Sequence, residues 1–435
     1  MNRLQATTLL LFCIAGAWAS GCSSSKTPAG TTASGGGSAA GGEAATGGSE
    51  ATGDTTIHSI NPEDTEHLLY SGRIDFADPT QPKYWEPGVV ISARFTGVSV
   101  TVKVKDSGTN YFEVVIDRDP NLTFVFPGGS TTSHTAFTDL PYGEHLIEFV
   151  KRTESSQGSA TFLGFDVGGV PLSAPARPAR RIEVIGDSIT SGSGAEPGAN
   201  QVNCNTAGGN PAQNAYMSYG AELARNLNAE YHITAAGGRG VMDNYECGSA
   251  DTLPAGYDHM NQRDLNSPLW DHTQYIPDAI IIGLGTNDFS PDQCNKAPIS
   301  PQCDPVKFQL FITTFEAFVS KLRGYFPDAH IFLTSSPMLT DGWPDPVAVG
   351  DSGVTCPYTS RTSQISAITA VVHYFNADAG DSKVHLVTTI PKGAGRGCGT
   401  HPNATEQLEI GGTPDSYNPN AADMLLTPVK TAMGW

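Results

Sequence analysis

The spacing of apolar residues changes along the chain, and the changes divide it. From about Ile57 to Val170, apolar and polar positions alternate: Val98, Val100, Val102 and Val104 are separated by Ser99, Thr101 and Lys103. Similar β-branched and aromatic runs lie at Tyr111 to Ile116, Leu122 to Phe126 and His145 to Val150, with Gly, Pro, Asp and Asn between them. Alternation of period two places every second side chain on one face of a strand, so residues 56–172 are expected to form an all-β jelly-roll sandwich. Pro171 to Arg180 is rich in Pro and Ala, and residues 173–180 read as an extended linker because proline fixes φ and disfavours helix before it.

After Arg181 the rhythm is different. Strand-like apolar runs at Ile182 to Ile185, Tyr231 to Ala236, Ala279 to Ile282, Ile331 to Thr334 and Val384 to Thr388 alternate with helical patterns. This order predicts an α/β domain over residues 181–435, a parallel sheet flanked by helices. One helix is marked by Phe308, Phe311, Ile312, Phe315, Phe318, Val319 and Leu322, whose three- and four-residue spacing makes a buried stripe rather than a cofactor box. No Gly-x-Gly-x-x-Gly or Walker sequence opens these units, so no nucleotide cofactor is expected.

The first residues belong to neither pattern. Arg3 precedes the apolar run Leu9 to Ala15, which is far shorter than the ~20 residues that span a bilayer, and residues 1–21 read as an export signal. Ala19-Ser20-Gly21-Cys22 resembles a bacterial lipobox, which would make Cys22 the lipidated first residue; ordinary cleavage near Ala19, with secretion, is the alternative. Residues 22–55 are almost entirely Ser, Gly, Ala, Thr and Glu and form a tether unable to bury a core. Export makes disulfides possible for Cys204, Cys247, Cys294, Cys303, Cys356 and Cys398. Their pairing is open, with neighbours in order giving the simplest closure. No Cys-x-x-Cys or His-x-x-x-His spacing suggests a metal site.

Acidic residues outnumber basic ones by 44 to 25, for a net charge of -19. Such a chain repels nucleic acid and anionic membranes, so membrane contact is expected only through a lipid anchor, while neutral polymers such as polysaccharides stay open as partners.

Three polar segments follow strands of the α/β domain, where sites of open α/β sheets gather. Gly186-Asp187-Ser188 offers a hydroxyl that a base could activate, or simply a capping turn. Ala236-Gly237-Gly238-Arg239-Gly240 lets backbone approach a substrate oxygen, or is a flexible turn. Gly285-Thr286-Asn287-Asp288 offers an amide donor to an oxyanion, or an Asx-turn. His401, in the loop Gly397 to Asn403 after the last expected strand, is a candidate base or merely an exposed histidine.

Taken together and in this order, these segments resemble the four sequence blocks of the SGNH hydrolase superfamily over Arg181 to Trp435. The resemblance implies Ser188 as nucleophile and His401 as general base. It also implies an oxyanion hole from the N–H of Ser188, the N–H of Gly238 and Asn287, with Gly240 a rival for Gly238. Asp187 and Asp288 then serve as structural hydrogen-bonders. Most members carry an Asp three residues before the His; here Cys398 stands there. The N-terminal sandwich, the linker and the Gly397-Cys398-x-x-His401-Pro402 block look like carbohydrate esterase family two, as do Tyr70 to Phe76 and Asn110-Tyr111-Phe112. In that family a main-chain carbonyl two residues before the His can replace the acid, which would be Gly399. The implied function is deacetylation of plant-type polysaccharide, acetylated xylan or glucomannan, without a cofactor. Trp343 would be a sugar platform or a packed loop aromatic. A short-chain aryl or alkyl esterase, or a glycan-binding protein with a degenerate hydrolase domain, are the rival readings.

Overall fold

The computed structural model describes residues 53–196, 211–245, 250–290, 301–341, 348–349, 354–355, 359–392, 395–412 and 423–435. The expected signal segment, Cys22 and the tether up to residue 52 lie outside them, as do Trp343, Cys204, Cys247, Cys294 and Cys356.

The N-terminal part is an antiparallel sandwich of nine strands: β1 (Ile57–Ile60), β2 (Leu68–Ser71), β3 (Lys83–Tyr84), β4 (Val90–Asp106), β5 (Tyr111–Ile116), β6 (Thr123–Pro127), β7 (Ser133–Phe137), β8 (Gly143–Lys151) and β9 (Ala160–Leu172). The long β4 pairs with β2, β7, β8 and β9, and its register shifts at Gly97/Ser99 and Lys103/Val104 bend it between neighbours. Three of the four valines expected to alternate do so: Val100, Val102 and Val104 are buried in a core with Phe95, Phe112, Phe149, Phe162 and Phe165, while Ser99, Thr101 and Lys103 are half-exposed; Val98, at the register shift, is half-exposed too.

The α/β part holds a five-stranded parallel sheet in the order β11-β10-β12-β13-β16, formed by β10 (Arg180–Gly186), β11 (Ala229–Ala235), β12 (Ala279–Gly283), β13 (His330–Thr334) and β16 (Val384–Val387). A two-stranded hairpin, β14 (Ala348–Val349) and β15 (Val354–Thr355), lies outside it. Each of the five expected strands is present. Arg180 departs from the expected linker: it already pairs with Ala229 and donates from Nη1 to Leu227 O at 2.8 Å, so the strand starts two residues before the expected Ile182.

Both faces of the sheet are covered, as the unbroken apolar runs require. Helices α3 (Pro305–Tyr325) and α4 (Ser360–His373) cover one side, with Phe311, Ile312, Phe315, Phe318, Val319 and Leu322 against Ile185, Ile280, Ile282, Ile331 and Leu333. At about 1.5–3 kcal/mol for each fully buried large apolar side chain, this stripe explains why the helix lies where it does. Asp304 caps it, accepting from Val306 N–H at 2.8 Å, and Pro305 occupies the first turn. Helices α1 (Tyr219–Leu227) and α6 (Leu426–Met433) cover the other side. There Val90, Val115 and Val150 of the sandwich join Ile182, Val184, Ile233 and Ile281, so the two parts share one apolar cluster. The remaining helices are the short α2 (Leu253–Gly256) and α5 (Ala404–Gly411), which follows His401.

The shared boundary is polar as well as apolar. Arg73 of the sandwich, 1% exposed, reaches Glu183 of β10 at 3.1 Å and donates to His259 O at 3.2 Å. Glu183 also accepts from Thr234 Oγ1 at 2.7 Å and Tyr257 OH at 2.8 Å, so its buried carboxylate is well satisfied, while the buried Arg73 Nε has no hydrogen-bond partner among the described residues.

Candidate active site

Strand β10 ends at Gly186, and the chain turns directly into Asp187-Ser188. Asp187 is fully buried and accepts the Ile189 N–H at 2.9 Å, which fixes the turn. Its neighbour Ser188 is left half-buried at the carboxyl end of β10, an inner strand of the sheet. His401 comes to it from 213 residues away: Nε2 lies 2.7 Å from Ser188 Oγ. Because Nε2 accepts the serine proton, Nδ1 is the protonated nitrogen and donates to the Cys398 carbonyl at 3.1 Å.

The His401 loop is built for this position. Gly395 N–H donates to Thr400 O at 2.7 Å and Gly397 N–H to His401 O at 2.9 Å. Two residues later Asn403 opens α5 with a capping box: its side chain accepts Glu406 N–H, and the Glu406 carboxylate accepts Asn403 N–H and Arg396 N–H. Thr400 is held at φ 64°, a left-handed conformation costly for a β-branched residue, next to Gly399 at φ 62°. These two left-handed residues bring the Cys398 carbonyl to Nδ1, in addition to the Gly399 carbonyl expected there. The Gly399 carbonyl also faces the ring, but its hydroxyl partner, Thr400 Oγ1, donates to it at 2.6 Å. Burial lowers the basicity of His401 below the ordinary imidazole range, while the two carbonyls and the Glu154 carboxylate work in the opposite sense.

The ambiguity between Gly238 and Gly240 is resolved by their partners. The Gly240 N–H donates to Asn244 Oδ1 at 3.1 Å, and a Cβ at this position would lie 2.0 Å from Asp243 O. That glycine closes a tight turn. Gly238 has φ 77°, room for a Cβ in ordinary contact with Tyr245 Cβ at 3.7 Å, and an N–H with no hydrogen-bond partner among the described residues. The Ser188 N–H is likewise free among them. Asn287 donates from Nδ2 to Arg239 O at 2.8 Å, leaving its second amide hydrogen for an oxyanion. The loop carrying Gly238 is secured by buried Asp288, whose carboxylate accepts Val241, Met242 and Asp243 N–H at 2.9, 2.8 and 2.9 Å. Burial pushes Asp187 and Asp288 up to about 6; both carboxylates bond to turn N–H groups, while His401 Nδ1 bonds to the Cys398 carbonyl.

Three residues beside the site carry no signal of their own in the sequence. Tyr245, 42% exposed, donates its N–H to Gly238 O at 2.8 Å and stands beside the oxyanion turn. Glu154 and Arg263 both bond to Gly237, and Glu154 comes from the sandwich. Cys303 and Cys398 are disulfide-bonded; the other four candidate cysteines, like Trp343, lie outside the described residues.

A serine–histidine pair with free backbone donors at the end of an inner parallel strand, arranged as above, defines a serine acylhydrolase. Residues 184–405 match the GDSL-like lipase/acylhydrolase family, and residues 70–175 match the carbohydrate esterase 2 N-terminal domain. The chain belongs to that family, and within it to carbohydrate esterase family two. It is 33% identical over 377 residues to the cellulase/esterase CelE of Acetivibrio thermocellus, covering 86% of this chain but 40% of CelE. It is 31% identical over 288 residues to an acetylxylan esterase / glucomannan deacetylase of Cellvibrio japonicus, covering 66% of this chain and 75% of that protein. A family two carbohydrate esterase from Clostridium thermocellum, solved in complex with cellohexaose, superposes with a TM-score of 0.69 at 32% identity, covering 85% of this chain and 99% of that one.

Proposed function

We propose that this protein removes O-acetyl groups from plant cell-wall polysaccharide, acetylated xylan or glucomannan, by a two-step acyl transfer. The observation that carries the reading is the 2.7 Å contact of His401 Nε2 with Ser188 Oγ beside two unclaimed backbone N–H groups. His401 takes the hydroxyl proton as Ser188 Oγ attacks the acetyl carbonyl carbon. The carbonyl oxygen gains the electron pair and is met by the N–H groups of Ser188 and Gly238 and by the Asn287 amide. The tetrahedral intermediate collapses, the C–O bond to the sugar breaks, and the imidazolium proton goes to the departing sugar oxygen. Water then attacks the acetyl-enzyme with His401 as base, releasing acetate and restoring Ser188.

Throughout, the Cys398 carbonyl holds Nδ1–H and the tautomer that leaves Nε2 free. A neutral carbonyl stabilises imidazolium less than a carboxylate, so positioning carries a larger share here than in a triad. The glycan as substrate is supported by the relatives named for xylan and glucomannan and by the cellohexaose complex of the structural neighbour. The net charge of -19 suits a neutral polymer better than an anionic one. Export, with a lipid on Cys22 and residues 23–55 as a spacer, would hold the enzyme at the cell envelope next to such a polymer.

Acetate release is to be compared across acetylated xylan, acetylated glucomannan and aryl esters of increasing acyl length. The reading expects acetylated polysaccharide to be turned over and butyryl or longer aryl esters to be poor. Efficient cleavage of longer aryl esters with no acetate from either polysaccharide would establish a general short-chain esterase instead.

A further inference from the structure

The oxyanion donor at Gly238 sits in a Gly237-Gly238 pair, the backbone with the least intrinsic stiffness. Glycine lets the peptide approach a substrate oxygen, yet it also allows the peptide plane between the two residues to rotate and carry the N–H out of the site. Something outside the turn has to hold that plane. Two charged side chains do so, and one of them belongs to the other domain.

Arg263 Nη2 donates closely to the Gly237 carbonyl, and the Glu154 carboxylate closely accepts the Gly237 N–H. The two are paired with each other, Arg263 Nη2 to Glu154 Oε1 at 3.4 Å, with side chains only 23% and 13% exposed. In a planar trans peptide the carbonyl of Gly237 and the N–H of Gly238 point in opposite directions. A guanidinium fixed on the carbonyl therefore fixes the direction of the N–H and, by drawing charge towards the oxygen, makes that N–H a stronger donor. Glu154 is itself held from both parts. Its N–H donates to Gln213 Oε1 at 3.2 Å, its carbonyl accepts from the buried Lys151 Nζ at 3.2 Å, and Ser156 Oγ donates to its carboxylate at 2.7 Å. The absence of a side chain at Gly237 admits the clamp, since a Cβ there would lie 3.0 Å from Glu154 Oε2.

We infer that Glu154 and Arg263 are positioning residues for the oxyanion hole, and that the N-terminal sandwich is thereby a working part of the esterase rather than an appended module. The inference rests on the esterase reading above. It is tested in the full chain with Glu154→Ala, Glu154→Gln and Arg263→Met, by steady-state kinetics on a soluble acetate ester and by thermal melting. An interaction realised in the transition state lowers kcat and leaves KM in place. Glu154→Ala and Arg263→Met are expected to lose roughly 10- to 100-fold in kcat with KM within about twofold. Glu154→Gln keeps an oxygen for the Gly237 N–H and is expected to fall between Ala and the parent, which a loss through misfolding would not reproduce at an unchanged melting temperature. If Glu154→Ala melts early, the Gln variant decides. Parent turnover with kcat undiminished in all three variants, or a loss confined to KM, would overturn the inference alone. No turnover by the parent would overturn the esterase reading and this inference with it.

Discussion

Replacing Arg73 by Met removes one half of the buried charge pair that joins the sandwich to β10 of the parallel sheet. Arg73 is 1% exposed and its guanidinium serves Glu183 at 3.1 Å and the His259 carbonyl at 3.2 Å while lying 4.6 Å from the centre of the Tyr257 ring. Methionine fills much of the volume but donates nothing. Breaking a buried pair from one side costs about 3–5 kcal/mol because the remaining charge has no counter-ion, and an orphaned buried carbonyl adds about 1–3 kcal/mol. The Thr234 and Tyr257 hydroxyls still donate to Glu183 and keep the sum near the lower end, about 4 kcal/mol. Denaturant unfolding followed by tryptophan fluorescence reads this directly. The double variant Arg73→Met/Glu183→Gln removes the stranded charge and is expected to recover about half of the loss, so the two substitutions are strongly non-additive. A loss below about 1 kcal/mol in the single variant, or strict additivity in the double, would refute the view that this pair anchors the two parts.

Asn287→Ala removes the side-chain donor of the oxyanion hole and is expected to lower kcat by about 10²- to 10³-fold with little change in KM, measured on a soluble acetate ester. His401 must be neutral to act as base, and burial holds its basicity below the ordinary imidazole range. Activity should therefore persist as the pH falls past 6.5, with the acid limb of kcat/KM centred below that value; a midpoint above it would contradict the assignment. Asp288→Asn turns one of two accepting oxygens into a donor facing backbone N–H groups, loosening the turn of Gly238. A drop in kcat of about tenfold or more is expected on the same ester, whereas an unchanged kcat would show that the turn holds without the carboxylate.

The parts of this protein written in local pattern were legible in its sequence. The runs Ile182 to Ile185 and Ala279 to Ile282 are rich in β-branched residues, and the α3 stripe has helical spacing, so each is fixed by its own residues. Ser188, Asn287 and His401 were readable because their order along the chain is informative even where each alone is not. What escaped depends on contacts between distant residues. Nothing near Glu154 indicates that it meets a loop 83 residues on, and Arg73 gives no sign of Glu183, 110 residues away. Gly238 and Gly240 are equivalent as letters and differ only in which N–H finds an acceptor. The Cys398 carbonyl joins that of Gly399 at His401 because of two left-handed residues, and one of those is a threonine that propensity would not place there.

The account stands on Ser188 and His401 acting as a pair upon an acetylated glycan. Acetate released from acetylated glucomannan by the parent, Ser188→Ala and His401→Ala, measured side by side on folded protein, addresses it most directly. Steady release by the parent with a loss of at least about 10⁴-fold in both variants is the expected result. No release by the parent, or release by Ser188→Ala at the parental rate, would contradict it.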